Sequence, residues 1–216
     1  MPAAYLLDLY DTLVSADWMA WWTQLGEITG ATEDQLARGY ERTRRARNDG
    51  AFATPEEEIR AVLVAGGTDP SEALVGSVLA AEASLGTTIT LFDDALPTLA
   101  TLRARGVRTA LVSNCNRSTR GIVERLGVVD AVDAVVLSCE VGSSKPDALI
   151  YRTALDALDV GPAQAVFVDD QTAYCDGARA LGIDTRLIVR RDASPAEGFA
   201  PSTNGHAVIT ALSELL

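Results

Sequence analysis

The stretch "YLLDLYDTLV", Tyr5 to Val14, brings an apolar run to Asp8, and a buried carboxylate is costly unless it faces a cation or takes part in a reaction. Thr12 follows close behind. Further segments carry polar groups of matching chemistry: Ser113-Asn114 closes "LVSN", Lys145 stands in "SSKPD", and Asp169-Asp170 closes "VFVDD". Asp8 can act as a carboxylate nucleophile, Ser113 and Lys145 can hold a transferring phosphoryl group, and Asp169 and Asp170 can ligate a hard cation through oxygen. If these groups converge, three carboxylates face one ammonium. The surplus negative charge calls for a divalent cation, and Mg2+ suits an all-oxygen donor set.

Convergence requires that the segments end strands of one sheet. Five near-continuous apolar runs have strand character: Ala4 to Leu9, Arg108 to Asn114, Asp133 to Ser138, Ala165 to Asp170 and Thr185 to Val189. Runs without alternation suit parallel strands covered on both faces. Helix-like segments, Ser118 to Leu126 and Ala173 to Leu181, follow the second and fourth runs, and each is closed by a glycine, Gly127 or Gly182. The pattern predicts an α/β fold, a doubly wound parallel sheet, in which ligands bind at the carboxyl ends of the strands. Between the first two runs, from about Ser15 to Phe92, the chain is rich in Ala, Leu, Glu and Arg and holds no strand-like stretch. Breaks at Thr29-Gly30, Asn48 to Gly50, Thr54-Pro55 and Gly66 to Pro70 divide it into about four helices. Residues 1–14 and 93–216 are thus assigned to the core, and 15–92 to an α-helical insertion. Arg190 to Gly205, polar and containing Pro and Gly, reads as a loop before a short C-terminal helix.

Taken in order, "DLYDTL", "LVSN", "SSKPDALIY" and "VFVDDQTAYCDGARALG" make the chain resemble the haloacid dehalogenase superfamily of hydrolases over most of its length. The resemblance implies a Rossmann-like core in which Asp8 attacks the substrate, Ser113 and Lys145 bind phosphoryl oxygens, and Thr12 and Asn114 belong to the same catalytic set. It also implies Mg2+ held by Asp8, by Asp170 with Asp169 beside it, and by the main-chain carbonyl of Tyr10. The helical insertion corresponds to a cap that closes over the site and selects the substrate. The function implied is a Mg2+-dependent phosphatase or phosphoryl-transfer hydrolase acting on a small phosphorylated metabolite through an aspartyl-phosphate on Asp8.

Two positions depart from that pattern. The phosphatases usually carry Asp where Tyr10 stands and Gly where Asp11 stands. The missing acid would protonate a leaving alkoxide and then activate water, whereas tyrosine, with a reference pKa near 10, is only about one part in a thousand ionised at neutral pH. Tyrosine also occurs here in the 2-haloacid dehalogenases, where halide leaves unprotonated and no metal is used, so a dehalogenase-like hydrolase is the alternative. Those enzymes carry serine and a later water-activating Asp where this chain has Asp169-Asp170 and Tyr174, which favours the phosphatase reading. A weakened, ligand-binding member of the superfamily is a third reading. Phosphate-sensing receiver modules use similar residues but place the acidic pair first and are much shorter.

Composition narrows the partners. The chain is 48% hydrophobic, but no apolar run approaches the roughly 20 residues that span a bilayer. The start "MPAAYLL" lacks a basic segment, which predicts a cytoplasmic protein. A net charge of −12 argues against nucleic acid and membrane surfaces and leaves a small anionic substrate whose site supplies the cation, with a monomer or homodimer as the assembly. Cys115, Cys139 and Cys175 lack C-x-x-C spacing and read as reduced thiols. Other residues admit two readings. Arg38, Arg42 or Arg45 of "ARGYERTRRAR" could line the substrate entrance or form a solvated helix face. Trp18, Trp21 and Trp22 could shape a pocket or pack the insertion on the core. Asp11 is either an acid beside the nucleophile or a turn residue. His206, the only histidine, is expected at the surface.

Overall fold

Apolar strands without alternation can be buried only if both faces of their sheet are covered. The computed structural model, which describes residues 1–190 and 203–216, has this arrangement. The chain runs through β1 (Ala4–Leu7), β2 (Val14–Ser15), α1 (Trp18–Thr29), α2 (Glu33–Asn48), α3 (Pro55–Gly66), α4 (Glu72–Thr88) and β3 (Thr90–Leu91). It continues through α5 (Ala95–Ala104), β4 (Arg108–Ser113), α6 (Thr119–Arg125), α7 (Val128–Ala131), β5 (Ala134–Leu137), α8 (Ser138–Val141), α9 (Ala148–Leu158), β6 (Ala165–Asp169), α10 (Thr172–Arg179), β7 (Asp184–Ile188) and β8 (Ala207–Ile209).

Six strands form one parallel sheet in the order β5-β4-β1-β6-β7-β8. The order reverses beside β1, the place in a doubly wound sheet where ligands bind beyond the strand ends. Leu7 is in register with Leu111 on one side and Val168 on the other, so Asp8, Ser113 and Asp169 emerge at one edge. On one face Tyr5, Leu7 and Val168 pack with Leu99, Leu102 and Val123 of α5 and α6. On the other, Leu6, Val112 and Phe167 pack with Ile150, Tyr151 and Ala178 of α9 and α10.

The five expected strands are present, each end within two residues of its expected place. The C-terminus differs. Instead of a helix, Ala207–Ile209 adds a parallel edge strand and Leu212–Leu215 makes one 3-10 turn. Three residues carry too little pattern to signal a strand, and pairing with β7 decides it. Residues 191–202 of the expected polar loop lie outside the described residues. His206 is buried rather than superficial, bonded to Thr185 Oγ1 at 2.6 Å and Asp176 Oδ1 at 3.0 Å.

Helices α1 to α4 pack around a core of their own, with Trp21, Leu25, Ile59, Leu63 and Val78 at its centre. Local signals set their ends. Thr32 and Gln35 cap α2 reciprocally, Thr54 caps α3 ahead of Pro55, and Gly30 ends α1 in the left-handed region at φ 63°. Where the chain leaves and re-enters the sheet layer, Val14 and Ser15 pair antiparallel with Leu91 and Thr90. Buried Arg190, expected at the start of a polar loop, fastens this crossing: it donates to the Thr12 carbonyl from Nε at 3.1 Å and Nη2 at 2.6 Å, pairs with Asp94 at 2.8 Å and lies 4.2 Å over the Phe92 ring. Burial works against ionisation of Asp94, but Arg190 outweighs it and holds the carboxyl below its ordinary pKa. No helix among the described residues is long and apolar enough to cross a membrane.

Close packing also seats the Lys145 loop. A Cβ on Gly177 of α10 would come within 2.7 Å of Pro146 Cβ and 2.8 Å of its carbonyl oxygen. Gly177→Ala is therefore expected to cost about 1–3 kcal/mol through overpacking. Urea unfolding should show a lower midpoint at unchanged slope; a variant as stable as the native chain would mean that α10 does not need this close approach.

Candidate active site

The predicted residues at the ends of β1 and β6 meet around one ammonium. Lys145 Nζ donates to Asp8 Oδ1 at 2.5 Å and to Asp169 Oδ2 at 2.7 Å, with its side chain 1% exposed. The rings of Phe167 and Tyr174 lie 5.5 and 5.0 Å from it. Asn114 fixes the lysine backbone, donating from Nδ2 to the Lys145 carbonyl at 2.9 Å and accepting from its N–H at 2.7 Å. With both faces of its amide so engaged, Asn114 positions Lys145. The other Asp169 oxygen accepts from the Gln171 N–H at 2.8 Å. Asp170 has no hydrogen-bond partner among the described residues.

Carboxylate oxygens of Asp8, Asp169 and Asp170 lie within 4.8 Å of one another. Burial favours a neutral Lys145, but Asp169 and Asp8 outweigh it and keep the ammonium charged. One ammonium does not balance three carboxylates. Burial foremost, together with the neighbouring acids and against a partial offset from Lys145, pushes Asp169 and Asp170 well above the usual carboxylate range. A surplus of hard oxygen donors around a half-open cleft fits a Mg2+ ion.

The loop after β1 is folded tightly. The Leu9 carbonyl accepts from the N–H groups of Leu13 at 2.8 Å and Val14 at 2.9 Å. Asp11 has φ 56°, the left-handed region that glycine adopts freely and Asp tolerates. Trp18 Nε1 donates to Asp11 Oδ2 at 3.4 Å. The Tyr10 hydroxyl pairs with Thr119 Oγ1 at 3.1 Å, not with the carboxylates, and its ring lies 5.5 Å from that of Trp18. Burial pushes the Tyr10 phenol far above its usual pKa, so it stays protonated and cannot act as a base. Thr12 and Ser113 are fully buried, and their hydroxyl oxygens have no hydrogen-bond partner among the described residues.

A cleft of about 290 Å³ opens over the carboxylates, bounded by Asp8, Asn114, Lys145 and Asp170 on the sheet side and by Arg44 and Arg47 of α2 on the other. The arginines named from sequence point elsewhere. Arg42 bonds the Ala65 carbonyl at 3.3 Å, Arg45 pairs with Asp49 and Asp147 at 2.6 Å, and Arg38 is exposed. Helical spacing from buried Leu36 through Tyr40 to Arg44 and Arg47 is the signal that marks the inward face. Trp18 and Trp21 line a second chamber beyond Tyr10, whereas Trp22 packs edge-on against Tyr40 at 5.2 Å. Cys115 borders that chamber as a buried thiol, and all three cysteines are free.

A family model described as haloacid dehalogenase-like hydrolase matches residues 2–182. The chain is 33% identical over 129 residues to (S)-2-haloacid dehalogenase 1 of Pseudomonas sp. (strain CBS-3), covering 59% of this chain and 57% of that one. It is 36% identical over 110 residues to ribulose-1,5-bisphosphate 5-phosphatase of Halopiger xanaduensis, covering 50% and 46%. The chain thus spans about half the length of these curated relatives. A HAD-family enzyme of Bacteroides thetaiotaomicron, solved with magnesium and inorganic phosphate, shares the fold with a TM-score of 0.71 at 20% identity, over 92% of this chain and 98% of that one.

Removing the central cation tests the electrostatics. In Lys145→Met, Asp8 and Asp169 stay buried without a counter-charge, and breaking such a pair costs about 3–5 kcal/mol. Carboxyls whose folded-state pKa is raised bind protons more tightly folded than unfolded, so stability returns as pH falls through that raised value. Urea titrations without divalent ions should show a deficit that is largest near pH 8 and shrinks toward pH 5; a deficit independent of pH would assign it to packing.

Proposed function

The chain belongs to the haloacid dehalogenase-like hydrolase family, and on that footing we propose that it hydrolyses a small phosphorylated metabolite with Asp8 as nucleophile. The observation that carries the reading is the Lys145 bridge: one Asp8 oxygen is tied to the ammonium at 2.5 Å, and the other has no hydrogen-bond partner among the described residues. An oriented carboxylate with one uncommitted oxygen, beside a fixed cation, suits attack on phosphorus. Lys145 and the unpartnered Ser113 hydroxyl would hold phosphoryl oxygens, and Asn114 keeps the lysine in place. The Asp8 oxygen would bond to phosphorus as the ester P–O bond breaks, and water would release phosphate from the aspartyl-phosphate. Asp8, Asp170 and the Tyr10 carbonyl, with Asp169 beside them, would hold Mg2+, whose contribution is to neutralise the carboxylates and polarise the phosphoryl group. The setting that goes with this reading is cytoplasmic, without nucleic-acid or membrane partners.

A second reading, 2-haloacid dehalogenation, is favoured by one observation, a tyrosine where an acid would protonate an oxygen leaving group. Halide needs no proton, and one relative is an (S)-2-haloacid dehalogenase. The retained pair Asp169-Asp170 weighs the other way, because a carboxylate surplus supports a metal-dependent reaction. Calorimetric titration separates the two. Mg2+ should bind the native protein, and Asp170→Asn should weaken binding strongly through loss of an anionic ligand. No measurable Mg2+ binding by the native chain would remove the phosphatase reading in favour of the dehalogenase.

Tyr10 sets the leaving-group dependence. General acid catalysis contributes on the order of 10²–10⁴ in rate, and an alkoxide, with a pKa of about 15, depends on it far more than an aryloxide or a carboxylate. Activity on a series of phosphate esters should fall steeply as leaving-group pKa rises, and Tyr10→Asp should flatten that slope. Equal native rates on aryl and alkyl esters would mean that another residue already supplies the proton.

A further inference from the structure

Beyond Tyr10 the cleft leads into a chamber of about 220 Å³ between the helical insertion and the sheet layer. Trp18, Trp21, Tyr40 and Tyr10 give it aromatic walls, and Glu82 of α4 and Arg47 of α2 bring charge to it. Most of its polar groups are engaged. Arg47 donates to Thr43 Oγ1 and to the Tyr40 carbonyl, both at 3.1 Å, and lies 4.7 Å over the Tyr40 ring. Glu58 accepts from Asn116 at 3.2 Å and faces Arg47 at 4.0 Å. The side chains of Asn48, Tyr40 and Glu82 are among those not engaged by other described residues. The Tyr40 hydroxyl is buried without a partner, and the Glu82 carboxyl has no hydrogen bond or ion pair among the described residues. Burial, then the Glu58 charge, pushes Glu82 up to about 7 against an offset from Arg47, the expected state of an acid lacking a counter-charge.

We propose that this chamber receives the organic body of the substrate and that this body carries an ammonium group, set against Glu82 and the aromatic faces. The proposal rests on the hydrolase reading and names the substrate class for that site. An ammonium has three donors and no acceptor, so it satisfies Glu82 and the Tyr40 oxygen together, and ring faces attract a cation. An anionic body would meet Glu82, with Arg47 already committed to the Tyr40 carbonyl and facing Glu58 behind the wall. A hydrocarbon body would leave both polar groups unmet. Lys145, Arg44 and Arg47 stand in the cleft beside Asp8, Asp11 and Asp170, a set that would take an anionic phosphate once Mg2+ offsets the carboxylates. Glu82 stands in the chamber for a cation at the other end of the molecule. The space suffices, since a cavity of about 150 Å³ accommodates benzene.

The test compares 4-(aminomethyl)phenyl phosphate with 4-(hydroxymethyl)phenyl phosphate, esters of similar leaving groups that differ in the cation. KM for the ammonium ester is expected to be about tenfold lower on the native chain, and the ratio should fall to roughly threefold or less in Glu82→Gln. Equal KM values on the native chain overturn the proposal. So does a Glu82→Gln effect that is the same for both esters, which would make the residue structural. Binding of benzylammonium against benzyl alcohol, followed by tryptophan fluorescence, reads the chamber without turnover and uses the native chain, with Tyr40→Phe as a second variant should Glu82→Gln not fold. Glu82-dependent preference for benzylammonium without phosphate release would sink the phosphatase reading and sustain the chamber assignment; phosphate release without any preference for the cation would do the reverse.

Discussion

One ammonium held between two buried carboxylates organises this molecule. Lys145 is 137 residues from Asp8 and 24 from Asp169, so the contact forms only when β1 and β6 lie side by side and the loop before α9 folds over their ends. Several features serve that placement. The strands end in register, Asn114 grips the lysine backbone, the rings of Phe167 and Tyr174 lie beside its ammonium, and Gly177 lets α10 approach Pro146. Against an apolar core of the same shape, a buried ion cluster adds little stability and can reduce it. A cluster that costs so much to bury, next to two hydroxyls, Thr12 and Ser113, without partners among the described residues, is not accounted for by folding stability alone.

The sheet and its polar edge were legible because of how parallel strands are buried. Coverage on both faces makes each strand a continuous apolar run, against which Asp8, Ser113 and Asp169 stand out at the carboxyl ends. The breaks between the inserted helices were legible for a different reason, since Gly30, Thr32, Thr54 and Pro55 act locally. What depends on distant partners was not. The roles of Arg190, His206 and the strand Ala207–Ile209 come from contacts with Thr12, Thr185 and β7, which no local pattern encodes.

The arginine-rich stretch of α2 lies between these cases. Which arginines face the cleft is decided by which side of α2 packs on α3, and that contact is very close: a Cβ on Gly39 would sit 2.4 Å from the Val62 carbonyl oxygen, and one on Gly66 2.6 Å from that of Gln35. The glycine pair fixes the rotation of α2, turning Tyr40 and Arg47 inward and leaving Arg44 exposed at the rim of the cleft. The periodicity was present in the sequence, but α2 carries five arginines, and faces through Arg38, Arg42 or Arg45 are of similar polarity. Glu82 carried even less signal, as a single acid in an Ala- and Leu-rich helix whose buried side is Val75, Val78 and Ala81.

Tyr10 joins the two halves of the site because its backbone and side chain serve different spaces. Its carbonyl belongs to the loop of the proposed metal site, while its ring forms a wall of the chamber and its hydroxyl bonds Thr119. Exchange of an acid for tyrosine here therefore keeps a main-chain oxygen, removes a carboxyl and adds an aromatic surface. Trp18 extends the connection: it touches the Tyr10 ring and donates to Asp11, whose left-handed backbone turns the loop. The first inserted helix is thus fastened to the loop that follows Asp8. A ligand that moves Trp18 must act on Asp11 and Tyr10 as well, so recognition in the chamber and geometry at Asp8 are not independent. In such an arrangement the fit of the substrate body bears on the rate of the reaction as well as on affinity.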